Sequence, residues 1–440
     1  MSTTTVSGIP TWLQKNRLLA GFLTVSITAG SSAGIMQLVL PLYALNLGIG
    51  DAGIGLIRGL GPIGGLLTTL PGGFLIDRFG PRKVYIACGL LDVLFIVLLP
   101  TATSRELLIT YLFIGGGVAT MRWTALNSSF LERLDYFGLV RAGWMRAAMA
   151  IGLNFFGPLI GGQLVYYTTY PVSFGVIAAL IFLPLCFIPG FRTGEPHRLL
   201  AHQSSNDVPI MTQFRQLAGN RLLLRTGILQ GVAMACNHAF LVFIIILLVK
   251  NLHYSPQIAS VVISAQGIGA VLIMFWGGDL ADRFRMQRVH VACFLMQIFG
   301  LVAAGFFKNI WIVVTGSVVL AMGAALLMAT SYSQLAKLEG KKGKISGFFF
   351  LITGTGVALG PVYSGYLASQ FGIRAAFTGF LPLVAAALAF IALTWNAEKK
   401  RSLQPEQAAE HDSNKAAATA PDFSGNSICP SQSLLTVAAE

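Results

Sequence analysis

Apolar runs long enough to cross a membrane recur throughout this chain, and no water-soluble fold can hide them. A helix needs about 20 apolar residues to span a hydrocarbon core of roughly 30 Å. Runs close to that length cover residues 18–47, 54–76, 84–103, 107–131, 143–166 and 172–188, and then 222–249, 258–276, 289–307, 310–335, 345–368 and 375–395. Lipid offers no hydrogen bonds to a bare backbone, so segments like these cross as helices. With 55% hydrophobic and 11% charged residues, the chain reads as an integral membrane protein that is α-helical throughout.

The polar stretches divide the runs into two sets of six. Residues 1–17 form a polar lead, 18–190 a first six-helix bundle, 191–220 a polar linker, 221–396 a second bundle, and 397–440 a tail rich in Ala, Ser, Gln and charge, expected to be disordered. The first run has no small-residue cleavage site and is followed by many more spans, so it is expected to be retained as a helix. The net charge of +13 is spread over short connectors and forms no single basic stripe, which argues against a nucleic-acid partner. Connectors on one side hold Lys15, Arg17, Arg78, Arg82, Lys83 and many others, whereas those on the opposite side hold only Arg105, Lys250, Lys308 and Arg374. By the positive-inside rule both termini are then cytoplasmic, in a bacterial inner membrane. Four of the five cysteines lie within apolar runs and none forms a C-x-x-C pair, so neither a metal site nor a cofactor is expected.

The phase of the two sets is marked by a repeated loop. Gly72-Gly73-Phe74-Leu75-Ile76-Asp77-Arg78-Phe79-Gly80-Pro81-Arg82-Lys83 follows the second run, and Gly277-Gly278-Asp279-Leu280-Ala281-Asp282-Arg283-Phe284-Arg285-Met286-Gln287-Arg288 follows the eighth. This G-x-x-x-D-R-x-G-x-R-R-like loop, repeated between halves, resembles that of the major facilitator superfamily, and the similarity extends from Leu18 to Asn396. The resemblance implies twelve transmembrane helices in two pseudo-symmetric bundles, with a central site and alternating access. It assigns a gating role to Gly73, Asp77, Arg78, Gly80, Arg82 and Lys83, and through the second copy to Gly278, Asp282 and Arg283. In the second copy Arg285 stands where the loop glycine is expected. Asp77 would meet the start of the eleventh helix near Ile345, Ser346 and Gly347, accepting its unpaired N–H groups. Glu132 and Arg141 flank the loop between helices four and five, resembling the family's E…R-x-G pattern, and would join this network.

Two glycine–proline runs come next. Helix five carries Gly157-Pro158 with Gly161 and Gly162, and helix eleven carries Gly356, Gly360-Pro361 and Gly365. Four-residue glycine spacing permits close helix approach, and proline frees a carbonyl, so these positions are candidate hinges. They resemble an element of the family's proton-antiporting exporters, although Leu153 replaces its first glycine.

Arg122, near the middle of helix four, is the most informative single residue, because a charge at that depth is costly unless it faces water or a partner. It binds an anionic substrate group, takes part in coupling, or snorkels toward the loop charges. His238 shares a helical face with Gln230, Met234 and Asn237 and is a candidate proton carrier. Gln37, Tyr43, Asn154, Gln266, Tyr332 and Gln334 are candidate cavity groups. Arg58 is expected to snorkel, and Asp92 to be peripheral.

Taken together, these residues favour a secondary transporter that exports a drug-like compound or metabolite in a proton-linked way, working as a monomer with a small-molecule substrate, protons and the bilayer as partners. Uptake of an organic anion and a non-transporting receptor are the alternatives. No nucleophile motif or phosphate-cradling loop points to an enzyme. Asp77→Asn is expected to insert into the membrane normally and to transport poorly; undiminished flux at equal expression would contradict the gating role.

Overall fold

The computed structural model describes residues 11–131, 144, 147–186, 218–336, 338 and 342–394. These residues are helical, with no strand among them. In chain order the helices are α1 (Thr11–Asn46), α2 (Asp51–Phe79), α3 (Pro81–Leu98), α4 (Arg105–Leu131), α5 (Ala147–Tyr167), α6 (Tyr170–Cys186), α7 (Arg221–Ile246), α8 (Pro256–Arg283), α9 (Met286–Phe306), α10 (Ile310–Ala336), α11 (Lys342–Phe371) and α12 (Ala375–Thr394). Among the described residues nine helices, or ten with the bent α2, are long and apolar enough to cross a membrane. The 17-residue α6 and the 27-residue α4, which carries Arg122, complete the series. Met1–Ala389 is one compact unit; of a second, Phe390–Glu440, the helical residues 390–394 are described.

Local chemistry sets the helix ends. Gly80, at φ 83° and ψ 151°, is the only non-helical residue between α2 and α3. Its N–H donates to the Ile76 carbonyl at 2.8 Å, and Pro81 supplies the pre-set φ of a first helical residue. The second copy of the loop turns differently. Arg285 lies at φ −56° and ψ 126°, and Phe284 and Arg285 together separate α8 from α9. Two residues in ordinary conformations replace one residue in a left-handed one, so the missing glycine has a structural reason. Asn220 caps α7, its side chain accepting from the N–H groups of Leu222 and Leu223.

Helix packing follows the same plan in both halves. In the first, a Cβ on Gly30 or Gly34 of α1 would collide with the α5 backbone at Met149 or Leu153, and one on Gly157 would collide with Gly34. In the second, Gly356 and Gly360 of α11 press against the Gly231 and Ala235 carbonyls of α7. The candidate hinge glycines are therefore also contact points, where two backbones meet without side chains between them. Pro158 removes the N–H that would bond to Asn154 four residues back, and the helix there widens into a π-turn over Gly152–Phe156. Pro361 lies inside an α11 with no such widening. Proline also marks a 51° bend of α2 between Thr69 and Pro71.

Outward faces are apolar and uncovered. Leu90, Leu91, Leu94 and Val97 of α3 are all about half exposed, as are many aromatic side chains elsewhere. A soluble protein rarely shows such a surface; a bilayer-spanning one has hydrocarbon as its solvent.

The halves meet along α2 with α11 and α5 with α8. From the Asp51 end inward, Gly55 lies against Pro361 and Gly365, Gly59 against Ala358, and Leu66 against Gly354. Further toward the Gly72–Lys83 loop, positions Gly73 and Gly347 face open space. Along this seam α2 and α11 are thus in close contact from the Asp51 end to Gly354, and open at Gly73 and Gly347. Gly356→Val should lower the melting temperature of purified protein by several degrees, while Gly347→Ala should leave it unchanged; equal melting of the two variants would contradict this packing.

Candidate functional site

At mid-depth the first half contains a cavity of about 230 Å³, walled by α1, α2, α3, α4 and α6. Most of its wall is apolar, but Arg58, Asp92 and Arg122 all reach it. The Arg122 Nε–H donates to Asp92 Oδ2 at 2.9 Å, and both side chains are over 90% buried. Side chains on a helix lean toward its N-terminus, which carries the guanidinium back along α4 to the level of Asp92. Asp92 is therefore not peripheral, and Arg122 does not snorkel. The contact uses one N–H and one carboxylate oxygen. The Tyr85 hydroxyl and Cys88 thiol lie within electrostatic range of the pair.

Arg58 lies two turns into α2, on the cavity wall. Its Nε is buried without a hydrogen-bond partner, and no ion pair joins it to a described residue. Nor does it snorkel. It is within electrostatic range of His238 on α7, so it stands where the first half faces the second. Two guanidiniums and one carboxylate give this region an excess of one positive charge in a low-dielectric setting. Arg58 and Asp92 were not singled out from sequence as site residues; their shared signal was a charge inside an apolar run.

Other sequence candidates have definite places. Tyr43 belongs to first-half packing, with its hydroxyl 3.2 Å from the Pro100 carbonyl and its ring against Tyr170 and Phe174. Gln230 accepts from the Ser331 hydroxyl at 3.2 Å, and Gln334 accepts from Thr226 at 2.8 Å, joining α7 to α10. Tyr332 stacks beside Phe349 and Phe350 of α11. Asn154 sits in the π-turn with its Cβ against Gly267 of α8. Gln266 is 2% exposed, and neither of its amide atoms has a partner. Gln37 and Asn237 are half-buried.

At the loop end Asp77 is exposed and makes no hydrogen bond or ion pair to a described residue. Arg78 lies over the Phe79 ring, with Lys83 exposed and Arg82 half-buried nearby. The expected contact between Asp77 and the start of α11 is not made in this conformation. Gly278 and Asp282 lie in α8, where only their backbone is described, and Arg283 is exposed. Glu132 and Arg141 lie outside the described residues.

The opposite end holds contacts between halves that sequence did not point to. Lys250 Nζ donates to Asp51 Oδ1 at 3.1 Å, and Gln257 donates to Gln163 at 2.8 Å. Ser260 fills the space over Gly162. Lys250 is half exposed, so this pair is worth at most about 1 kcal/mol.

Removing one member of the buried pair should matter more than removing both, because a lone buried charge costs about 3–5 kcal/mol. Asp92→Leu is expected to lower the melting temperature further than Asp92→Leu combined with Arg122→Leu, and the opposite order would contradict the pairing.

Comparison with known proteins adds the wider setting. The sequence model described as the Major Facilitator Superfamily matches residues 21–243 and again 226–437. The probable nitrate transporter NarT of Staphylococcus haemolyticus is 24% identical over 84% of this chain and 91% of its own. Multidrug resistance protein MdtG of Proteus mirabilis is 27% identical over 79% and 88%. The nitrite extrusion protein of Bacillus subtilis is 23% identical over 87% and 93%. Among solved structures, the nucleoside transporter NupG superposes with a TM-score of 0.70 at 17% identity, over 86% of this chain and 98% of that one. A bacterial homolog of the lysosomal transporter Spinster, in an inward-facing and occupied conformation, also gives 0.70, at 14% identity over 87% and 97%.

Proposed function

We propose that this chain, which belongs to the major facilitator superfamily and is a multi-pass secondary transporter, not an enzyme, carries a small anion across the membrane together with protons. The observation that carries this reading is Arg58. It is a half-buried arginine whose Nε is buried, with no ionic partner among the described residues, on the wall of a cavity whose other arginine is already neutralised by Asp92. An uncompensated charge inside a membrane costs about 3 kcal/mol on insertion scales, and a bound anion would remove that cost. Names of relatives lend support: two of the three described above concern nitrate or nitrite.

In this reading the anion moves inward, and the protons supply the drive. Moving a negative charge into a cell with a negative interior costs about 2.3 kcal/mol per 100 mV, and co-transported protons offset it. Alternating access in this reading uses both ends. The loop end, taken as cytoplasmic from its basic residues, closes through Asp77 against α11 as the Asp51–Lys250 contact opens. The Gly157-Pro158 and Gly360-Pro361 segments flex between the two states, and one copy of the chain suffices.

A second reading, proton-linked export of a drug-like compound from the bacterial inner membrane, is favoured by the mostly apolar cavity wall and the likeness to MdtG. Proteoliposomes loaded with nitrate and assayed for exchange against labelled nitrate separate the two. The anion reading expects exchange in the wild type and a loss of about tenfold or more in Arg58→Gln. Wild-type liposomes that fail to exchange nitrate yet move a lipophilic cation against a pH gradient would replace it with the second.

A further inference from the structure

The two halves of this chain are copies, and where the copies differ shows what the first half has acquired. Laying Asp282 on Asp77 brings Val289 onto Val84, His290 onto Tyr85 and Cys293 onto Cys88, and so continues into α3 and α9. The same shift lays α10 on α4 from end to end, both of 27 residues. Under it Gln297 falls on Asp92 and Leu327 on Arg122. Gln297 is fully buried with neither amide atom bonded, and Leu327 is fully buried in apolar packing. The same architecture therefore stands in the second half with a neutral pair at these positions. The ion pair of the first half is not required by the helix packing around it.

We propose that Asp92 is the proton-binding site of this transporter, and that its protonation hands Arg122 over to the anion already facing Arg58. This rests on the anion reading above. Asp92 and Arg122 share one N–H···O contact, and both border the cavity that Arg58 also lines. When a proton arrives from water through the cavity, an O–H bond forms on Asp92 and the carboxylate loses its charge. The charge-assisted bond to Arg122 then weakens to a neutral one. Arg122 would be left as a second uncompensated guanidinium in the same space, and an anion between the two arginines neutralises both more fully than Arg58 alone. By linkage, an anion bound there raises the proton affinity of Asp92 by the same factor. Each ligand favours the other, which is what symport requires.

The groups facing Asp92 are few. On its own helix they are Tyr85 and Cys88, from α4 Arg122 and Tyr111, and from α2 Arg58. Of the cavity residues on α1 and α6 only Ser32 is polar. Among the described residues no second carboxylate lines the cavity.

Two measurements on the full-length protein in detergent test the proposal. Nitrate binding, followed by calorimetry in acidic and alkaline buffer, should tighten as pH falls in the wild type. It should be tight and independent of pH in Asp92→Asn, weak and independent of pH in Asp92→Gln/Arg122→Leu, and again pH-dependent in Asp92→Glu. The double variant carries the residue pair of the second half, so it tests the idea even if a lone Arg122 prevents Asp92→Asn from folding. Wild-type affinity that ignores pH, or a double variant that keeps the wild-type pH dependence, would overturn the coupling. Independently of any substrate, the infrared band of a buried protonated carboxyl should appear in acid in the wild type and vanish in the double variant; its persistence there would overturn the assignment to Asp92. Absence of nitrate binding at every pH, with that band intact, would count against the anion reading and leave the proton site standing.

Discussion

A positive charge inside an apolar bundle must be neutralised, and the proposed function follows from how the two arginines of the first-half cavity meet that demand. Arg122 meets it with Asp92 across α3 and α4. Arg58, on the next helix, has no ionic partner among the described residues. The difference separates a settled charge from an unsettled one within a single cavity. It also explains why that cavity reads as a binding region although most of its wall is apolar.

Around the charges, the framework is built for movement. Glycines let α1 meet α5, and α7 meet α11, at backbone distance within each half. Between the halves, α2 and α11 touch from the Asp51 end to about mid-depth and then part. Polar contacts within halves include a buried ion pair, while those at the closed end between halves include a weak exposed ion pair and one amide–amide hydrogen bond. Such a division suits rigid bundles that rock, because the bonds that must break are the cheap ones.

Much of this was legible in the sequence because the signals are local. Apolar run length gave the helices, and the charged, glycine-containing loop gave a break between two of them, which the structure narrows to Gly80. The repeated Asp-Arg-Phe placed the two halves in register. Charges inside apolar runs were just as visible, yet their partners were not. Asp92 and Arg122 are thirty positions apart on adjacent helices, and neither helix periodicity nor spacing says which faces turn toward each other. Arg58 was misread for a related reason: counting residues from the end of a run measures depth, but snorkelling depends on whether the side chain faces lipid or the bundle interior. The glycine–proline element was read as a hinge. The structure adds that its glycines are also close contacts between helices, which a single sequence cannot distinguish.

In the proposed mechanism the two ends of the molecule open in turn around one positively charged cavity. Spin labels at Gly73 and Gly347 report the loop end, and labels at Thr101 and Asn309 report the opposite end. Pulsed electron resonance distances for both pairs, taken at acidic pH with and without nitrate in lipid nanodiscs, test it directly. The loop-end distance should shorten as the opposite one lengthens, within the same preparation. Two distances that stay fixed while the labelled protein still exchanges nitrate would contradict it.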